Sequence, residues 1–260
     1  MPAPLIRHRS RPVVLRLEFG SRRFVASGWM SVLALTAVLL FAQLGRWQWH
    51  RAAEKTALAA AFAAGTNAPA TALGTQATAS LPRYAQVIVT GRYEPARQFL
   101  LDNMSDGGQV GYEVLTPLRL ENGRCLLVNR GWIALPEGRR EELPDLAMSE
   151  PLTVQVRGRL DVLPVTGLAA GRAPPAADSS WPKRTSFPTA EQLGGALGEK
   201  VEPRQLLLGA TEPFGFQRHW RSASDGFGPM RHLAYAVQWW GFGALSVFLY
   251  VFLNLERRGP

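Results

Sequence analysis

His232 opens the run HLAYAVQWWGFGALSVFLYVFLNLERR, and its imidazole is the side chain with the most chemistry to offer. A neutral imidazole at the head of an apolar segment can bind haem iron as an axial ligand without help from a cysteine. Tyr235, Ala236 and Trp239 follow at i+3, i+4 and i+7, one face of a helix, so a flat macrocycle on that face would meet an aromatic and small-residue wall. Arg231 can neutralise a propionate. The residues by themselves leave a second reading open, in which His232 caps the segment and hydrogen-bonds to a neighbouring domain. Arg130, in VNRGW, is the other candidate: its guanidinium can clamp a carboxylate through two bonds, and Gly131 beside it allows close backbone approach. The alternative for Arg130 is a structural pair with an acid of its own domain.

Other chemistries find little support. The histidines are His8, His50, His219 and His232, and Cys125 is the only cysteine, which excludes an intrachain disulfide, a CxxC redox pair and a CxxCH haem attachment. HExxH, a nucleophile elbow, a P-loop and a GxGxxG after a strand are all missing, so the chain reads as a non-enzyme. Glu141-Glu142 beside Arg139-Arg140 reads as a solvated turn. The net charge of +9 is unevenly placed: six arginines stand against Glu18 in residues 1–24, whereas Gly45 to His232 holds 21 Lys or Arg against 18 Asp or Glu. Excess charge beside apolar runs is a mark of membrane topology, not of nucleic-acid binding.

The element that carries His232 is a membrane helix. About 23 residues, 233–255, lack any charged side chain and at about 1.5 Å each reach about 35 Å, enough for a hydrocarbon core of about 30 Å. Tyr235, Trp239 and Trp240 suit one interface, Arg257 and Arg258 the other, and Gly241 and Gly243 permit close approach of a second helix or a flat ligand. Residues 25–44 form a second uncharged run behind the basic tail 1–24 and read as an uncleaved anchor. Both termini are then cytoplasmic, with a short tail at 256–260. Residues 45–80 read as a helical extension, with Gln43, Trp47, His50 and Glu54 on one face, followed by a loose linker from Thr66 to Ser80.

Residues 81–232 read as an extracytoplasmic α+β domain. Tyr84 to Tyr93, Gln98 to Leu101, Tyr112 to Leu120, Arg124 to Ile133, Leu152 to Leu160 and Gln205 to Leu208 have strand character, and Asn122-Gly123 marks a tight hairpin. Pro117 predicts an edge or bulged strand. Pro164 to Pro188 reads as an irregular excursion, and Thr189 to Gln192 as a capping box opening a helix that ends near Gly198. The expected fold is a membrane protein whose two terminal transmembrane helices enclose a small antiparallel sheet or partial barrel.

GRWQWHRAAEK at 45–55, VTGRYEPARQFLL at 89–101, GYEVLTPLRLENGRCLLVNRGWI at 111–133 and HLAYAVQWWGF at 232–242 together resemble the Surfeit-locus cytochrome c oxidase assembly family. The resemblance implies a non-enzymatic biogenesis factor for haem-copper oxidases that binds haem a and assists its insertion into the catalytic subunit. His232 matches the family histidine held to ligate the haem iron, with Tyr235, Trp239, Arg231 and Arg130 as further cofactor-binding candidates. Trp47, Gln48, Arg51 and Lys55 match a family motif without an assigned ligand role, and His50 is a candidate second axial ligand. The implied partners are the oxidase catalytic subunit, haem a synthase and the lipid bilayer, with no nucleic acid. The expected location is a bacterial inner membrane with the domain periplasmic, a mitochondrial inner membrane being the alternative. The competing function is a membrane-anchored scaffold for oxidase subunits that does not bind haem.

Overall fold

The computed structural model describes residues 13–19, 22–135, 145–149, 152–165, 171–222 and 227–257. The first half of the basic tail, the Arg139 to Glu142 turn and Arg258 lie outside them. In chain order the elements are β1 (Val13–Phe19), β2 (Arg22–Ser27), α1 (Gly28–Asn67), β3 (Thr71–Ala72), β4 (Gln86–Tyr93), β5 (Phe99–Asp106), β6 (Gln109–Leu120), β7 (Cys125–Ala134), β8 (Thr153–Val162), β9 (Lys183–Thr185), α2 (Ala190–Leu197), β10 (Arg204–Leu208), α3 (Pro229–Leu253) and β11 (Leu255–Arg257). Two compact units result, one of residues 1–59 with 223–260 and one of residues 60–222.

The first unit contains two helices long and apolar enough to cross a membrane, and few residues of their most apolar windows are buried. Val32, Leu39, Phe248 and Phe252 are among their exposed side chains. Where the sequence leads one to expect a basic tail and a span from Val25, β1 and β2 pair antiparallel and the helix starts at Gly28. β11 then adds to β2 in a three-stranded sheet.

In the second unit β4, β8, β10, β7 and β6 pair in that order, and β6 returns to β4 through Gly91↔Leu120, Arg92↔Arg119 and Tyr93↔Leu118. The ring is therefore a closed barrel, not a partial one. One of its pairings, β10 with β7, is parallel. Alternation along each strand turns Val87, Val89, Leu118, Leu126, Val128, Val156, Leu160 and Leu206 into a single interior cluster. The opposite face of β6 and β7, with Leu115 and Leu127, packs under Leu193 and Leu197 of α2. That helix is set by its ends. Thr189 and Gln192 exchange both capping-box bonds, and Gly198 ends it in the left-handed conformation at φ 74°.

The β6–β7 hairpin turns at Glu121-Asn122-Gly123, where Gly123 takes φ 79° and the Leu120 amide donates to Arg124 O at 2.9 Å. Contrary to the edge or bulge expected from Pro117, β6 is an inner strand and keeps unbroken register with β7 through that residue. Its pairing with β5 stops at Leu115 and that with β4 starts at Leu118, so the missing N–H falls where β6 changes partner. The stretch expected to be a loose linker is also tied down. β3 pairs with β4, and the Thr78 amide and hydroxyl both donate to Glu202 Oε2, at 2.9 and 2.8 Å. The last turns of α1 belong to this unit: the Arg159 guanidinium lies 4.0 Å from the Phe62 ring centroid and donates to Thr66 Oγ1 at 2.9 Å.

Candidate functional site

The site in the first unit is built where α3 begins. Pro229 occupies the first turn, where its missing N–H costs nothing. One turn on, His232, Ala236 and Gly243 form the buried stripe of the helix. On α1 the matching stripe is Gly45, Gln48 and Ala52. Gly45 is small for a reason, since a Cβ there would lie 2.2 Å from Trp240 Nε1. The face of α1 that groups Gln43, Trp47, His50 and Glu54 is exposed. Of the two glycines expected to admit a neighbour, Gly243 sits in ordinary contact with Phe41 and Gly241 faces open space.

His232 is 8% exposed, and its Nδ1 lies 2.7 Å from Gln48 Oε1. With the amide oxygen placed toward the ring, Nδ1 donates to it, and the neutral imidazole then keeps its lone pair on Nε2. This is how metal-bound imidazoles are commonly held, with one nitrogen donating to a fixed acceptor and the other free to ligate. The Phe227 ring meets the imidazole edge-on at 4.6 Å, and Tyr235 stacks on Phe227 at 5.8 Å. Arg231 places its guanidinium 5.8 Å from the Phe227 centroid.

The sequence-derived candidates divide accordingly. Arg231 and Tyr235 gather with His232 around Phe227. Trp239 lies farther along α3 and stacks on Phe41 of α1 at 5.8 Å, with the planes 18° apart. His50 is exposed and, two residues from Gln48, points about 200° around the helix from it. Arg130 belongs to the other unit and is inside it, 2% exposed. Its Nε donates to Phe214 O and its Nη1 to Gln98 Oε1, each at 2.7 Å, and its guanidinium covers the Phe216 ring. Burial pulls its pKa down to about 10. A bulge in β7, where four residues from Asn129 to Trp132 oppose three on β6, turns the side chain inward. Among the described residues its partners are carbonyl, amide and hydroxyl oxygens, and none is the acid that the structural alternative assumed.

Gln48 and Phe227 were not singled out from sequence. Gln48 had a signal in its motif, one residue after Trp47, but helical periodicity could not say which face turned inward. Phe227 had none.

Among the described residues no three His, Cys, Asp or Glu side chains gather to hold a metal ion. The donor set at His232 is a single imidazole whose Nε2 has no partner among the described residues, set among aromatic rings with the cations Arg231, Arg51 and Lys55 nearby, and it fits a group that brings its own ring nitrogens and acidic side chains, as haem does.

Carboxylates of the second unit have settled roles. Burial alone would raise Glu94, but hydrogen bonds and charge from Arg119 and Arg97 outweigh it and hold the carboxyl below its ordinary range. Arg119 also forks onto Glu199 at 2.6 and 2.7 Å, tying β6 to the end of α2. Glu113 is raised, because burial outweighs its bond from Asn129 Nδ2.

Two long apolar helices, one near each end of the chain in sequence, a closed β barrel built from the sequence between them and an imidazole hydrogen-bonded to a glutamine define the class: a barrel protein with two terminal apolar helices and a candidate histidine site. The chain belongs to the SURF1 family, whose model matches residues 35–244. A SURF1-like protein of Monosiga brevicollis is 25% identical over 237 residues, covering 83% of each chain. An uncharacterized SURF1-like protein of Mycobacterium bovis is 28% identical over 246 residues, covering 89% of this chain and 87% of its own. A shorter match, 30% over 106 residues, joins 40% of this chain to 46% of a SURF1-like protein of Rickettsia felis. The family is consistent with a role in oxidase assembly, and the two apolar helices point to association with a membrane.

Proposed function

We propose that this protein is a biogenesis factor for haem-copper cytochrome c oxidase, binding haem a and assisting its insertion into the catalytic subunit. Membership of the SURF1 family supports the assembly role. The observation that carries the haem reading is the 2.7 Å bond between His232 Nδ1 and Gln48 Oε1, which leaves Nε2 as the ligating atom. Haem supplies an iron already bound by four ring nitrogens, so one imidazole suffices to hold it. Phe227 and Tyr235 line the ring, and Arg231 meets a propionate. Arg130 keeps its structural place inside the barrel unit and is not a cofactor contact. In this reading both helices cross a bacterial inner membrane, the arginine-rich N-terminal tail and the C-terminus are cytoplasmic, and the barrel is periplasmic. The oxidase catalytic subunit and haem a synthase are the partners.

The test is the absorption spectrum of protein purified from cells that make haem a, beside that of His232→Ala. Loss of the haem bands in the variant is expected; an unchanged spectrum would sink the ligand assignment. Normal oxidase assembly in His232→Ala cells would instead favour a scaffold that never holds haem.

A further inference from the structure

The three-stranded sheet at the chain ends is unused by the function above. Its rows are set by register: Leu17, Phe24 and Leu255 lie side by side, and the next row is Glu18, Arg23 and Glu256. Opposed residues share a face and successive ones alternate, so one face presents the apolar row and the other the charged row. The charged row is internally paired, with Arg23 Nη2 2.9 Å from Glu256 Oε2. The apolar face turns back toward the helices, for Phe24 packs edge-on against Tyr250 in the last turns of α3, 5.7 Å between centroids. Leu17 is one strand farther out on that face and is 45% exposed. Arg22, two residues from Phe24 on the same face, is exposed as well.

Position supplies the occupant. β2 runs directly into α1, and a single residue, Asn254, separates α3 from β11. If the helices cross a bilayer, the sheet has to lie at its surface, and its apolar face has to face the lipid. We propose that this terminal sheet is an amphipathic platform on an anionic phospholipid surface, with Leu17 inserted beside the helix ends and Arg22 at the lipid phosphates. The proposal rests on the membrane reading of the two helices and is independent of haem.

A test uses the full chain bearing Leu17→Cys, labelled with an environment-sensitive maleimide fluorophore. The label goes on before reconstitution into nanodiscs of phosphatidylcholine and phosphatidylglycerol, with or without doxyl-labelled lipid. Cys125 is 1% exposed and stays unlabelled in the folded chain. A label at Leu17→Cys is expected to be quenched by doxyl lipid and shielded from aqueous iodide. One at Arg16→Cys, on the charged face, shows the reverse. Arg22→Glu cuts the lipid quenching at Leu17→Cys by about half in discs with anionic lipid, and no change there would overturn the phosphate contact. Leu39→Cys in α1 separates the two ideas. If its label is not quenched by lipid, the membrane reading fails and takes the proposal with it. If that label is quenched while the one at Leu17→Cys is open to iodide, or shielded from both quenchers as a protein partner would shield it, the platform alone is overturned.

Discussion

Gly45 of α1 and Trp240 of α3 share one space, for a Cβ on the glycine would stand 2.2 Å from the indole Nε1. Gln48 is three residues farther along the same face of α1 and meets His232 there. Gly45→Val should therefore push the helices apart and loosen the Gln48 bond without touching either polar residue. The expected cost is about 2 kcal/mol, as for overpacking elsewhere. Lower haem occupancy together with a lower thermal midpoint of the purified protein is the result to look for.

Gln48→Leu keeps the size of the side chain and removes the acceptor. The imidazole then loses its fixed tautomer, and haem affinity should fall about 10- to 100-fold. Gln48→Glu retains an acceptor and adds charge, so it should keep the haem while lowering its reduction potential. Equal affinity in all three proteins would show that the glutamine does not orient the ligand.

Arg130→Met should destabilise the barrel unit by about 3 kcal/mol, because Gln98 Oε1 and Phe214 O lose a charged donor inside the fold. Denaturant unfolding of the full chain measures this. Where the variant is folded, its haem spectrum should match that of the parent, since the side chain is spent within its own unit.

Acid should weaken the barrel unit through Glu94 and Glu202, whose carboxyls are both held below the ordinary 4.5. For Glu202 burial pushes upward, and bonds from the Thr78 amide and hydroxyl with the charge of Arg124 outweigh it. A lowered carboxyl stabilises above its ordinary pKa and loses that contribution as pH falls through the folded value, so the loss begins below about pH 4.5. Glu113 has the opposite sign. Its raised carboxyl costs stability once pH rises past 4.5, so Glu113→Gln should gain about 1 kcal/mol at neutral pH and nothing in acid. Unfolding curves of both proteins at pH 4 and pH 7 decide it.

Cys125 should be inert toward maleimides at pH 8 in the folded protein, since burial pushes its thiol up to about 12. Denaturant should expose it to full labelling.

What could be read from the chain was local. The Gly123 turn with the strands on either side of it, the Thr189 capping box and β10 beyond it carry their instructions in adjacent residues and stand where the sequence put them, whereas β9 forms within the stretch read as irregular, by pairing with the distant β5. Closure of the barrel depends on β4 meeting β6 at Leu118 to Leu120, a pairing between distant segments that no short pattern records. The same holds for Pro117, which looks like an edge residue until both neighbours of β6 are known. At the candidate site, His232 was recognisable by position and Arg231 and Tyr235 by spacing from it, but the sequence did not single out the inward face of α1. Alanines and aromatics surround that helix nearly evenly, so Gly45, Gln48 and Ala52 become the contact stripe only because α3 lies against them. Arg130 invited a ligand role by being charged among strand residues. The β7 bulge that turns it inward appears only in the register of the folded pair.

The pairing of β2 with β11 also has a bearing on biosynthesis. Arg23 and Glu256 are 233 positions apart, so β2 has left the ribosome long before its third-strand partner has been made. The outer hairpin can form early, whereas the strand that ties the two helix ends together can join only after α3 has emerged. Closure of that sheet therefore marks the point at which the helix pair is complete, and a chain that terminates within α3 would leave one edge of β2 open.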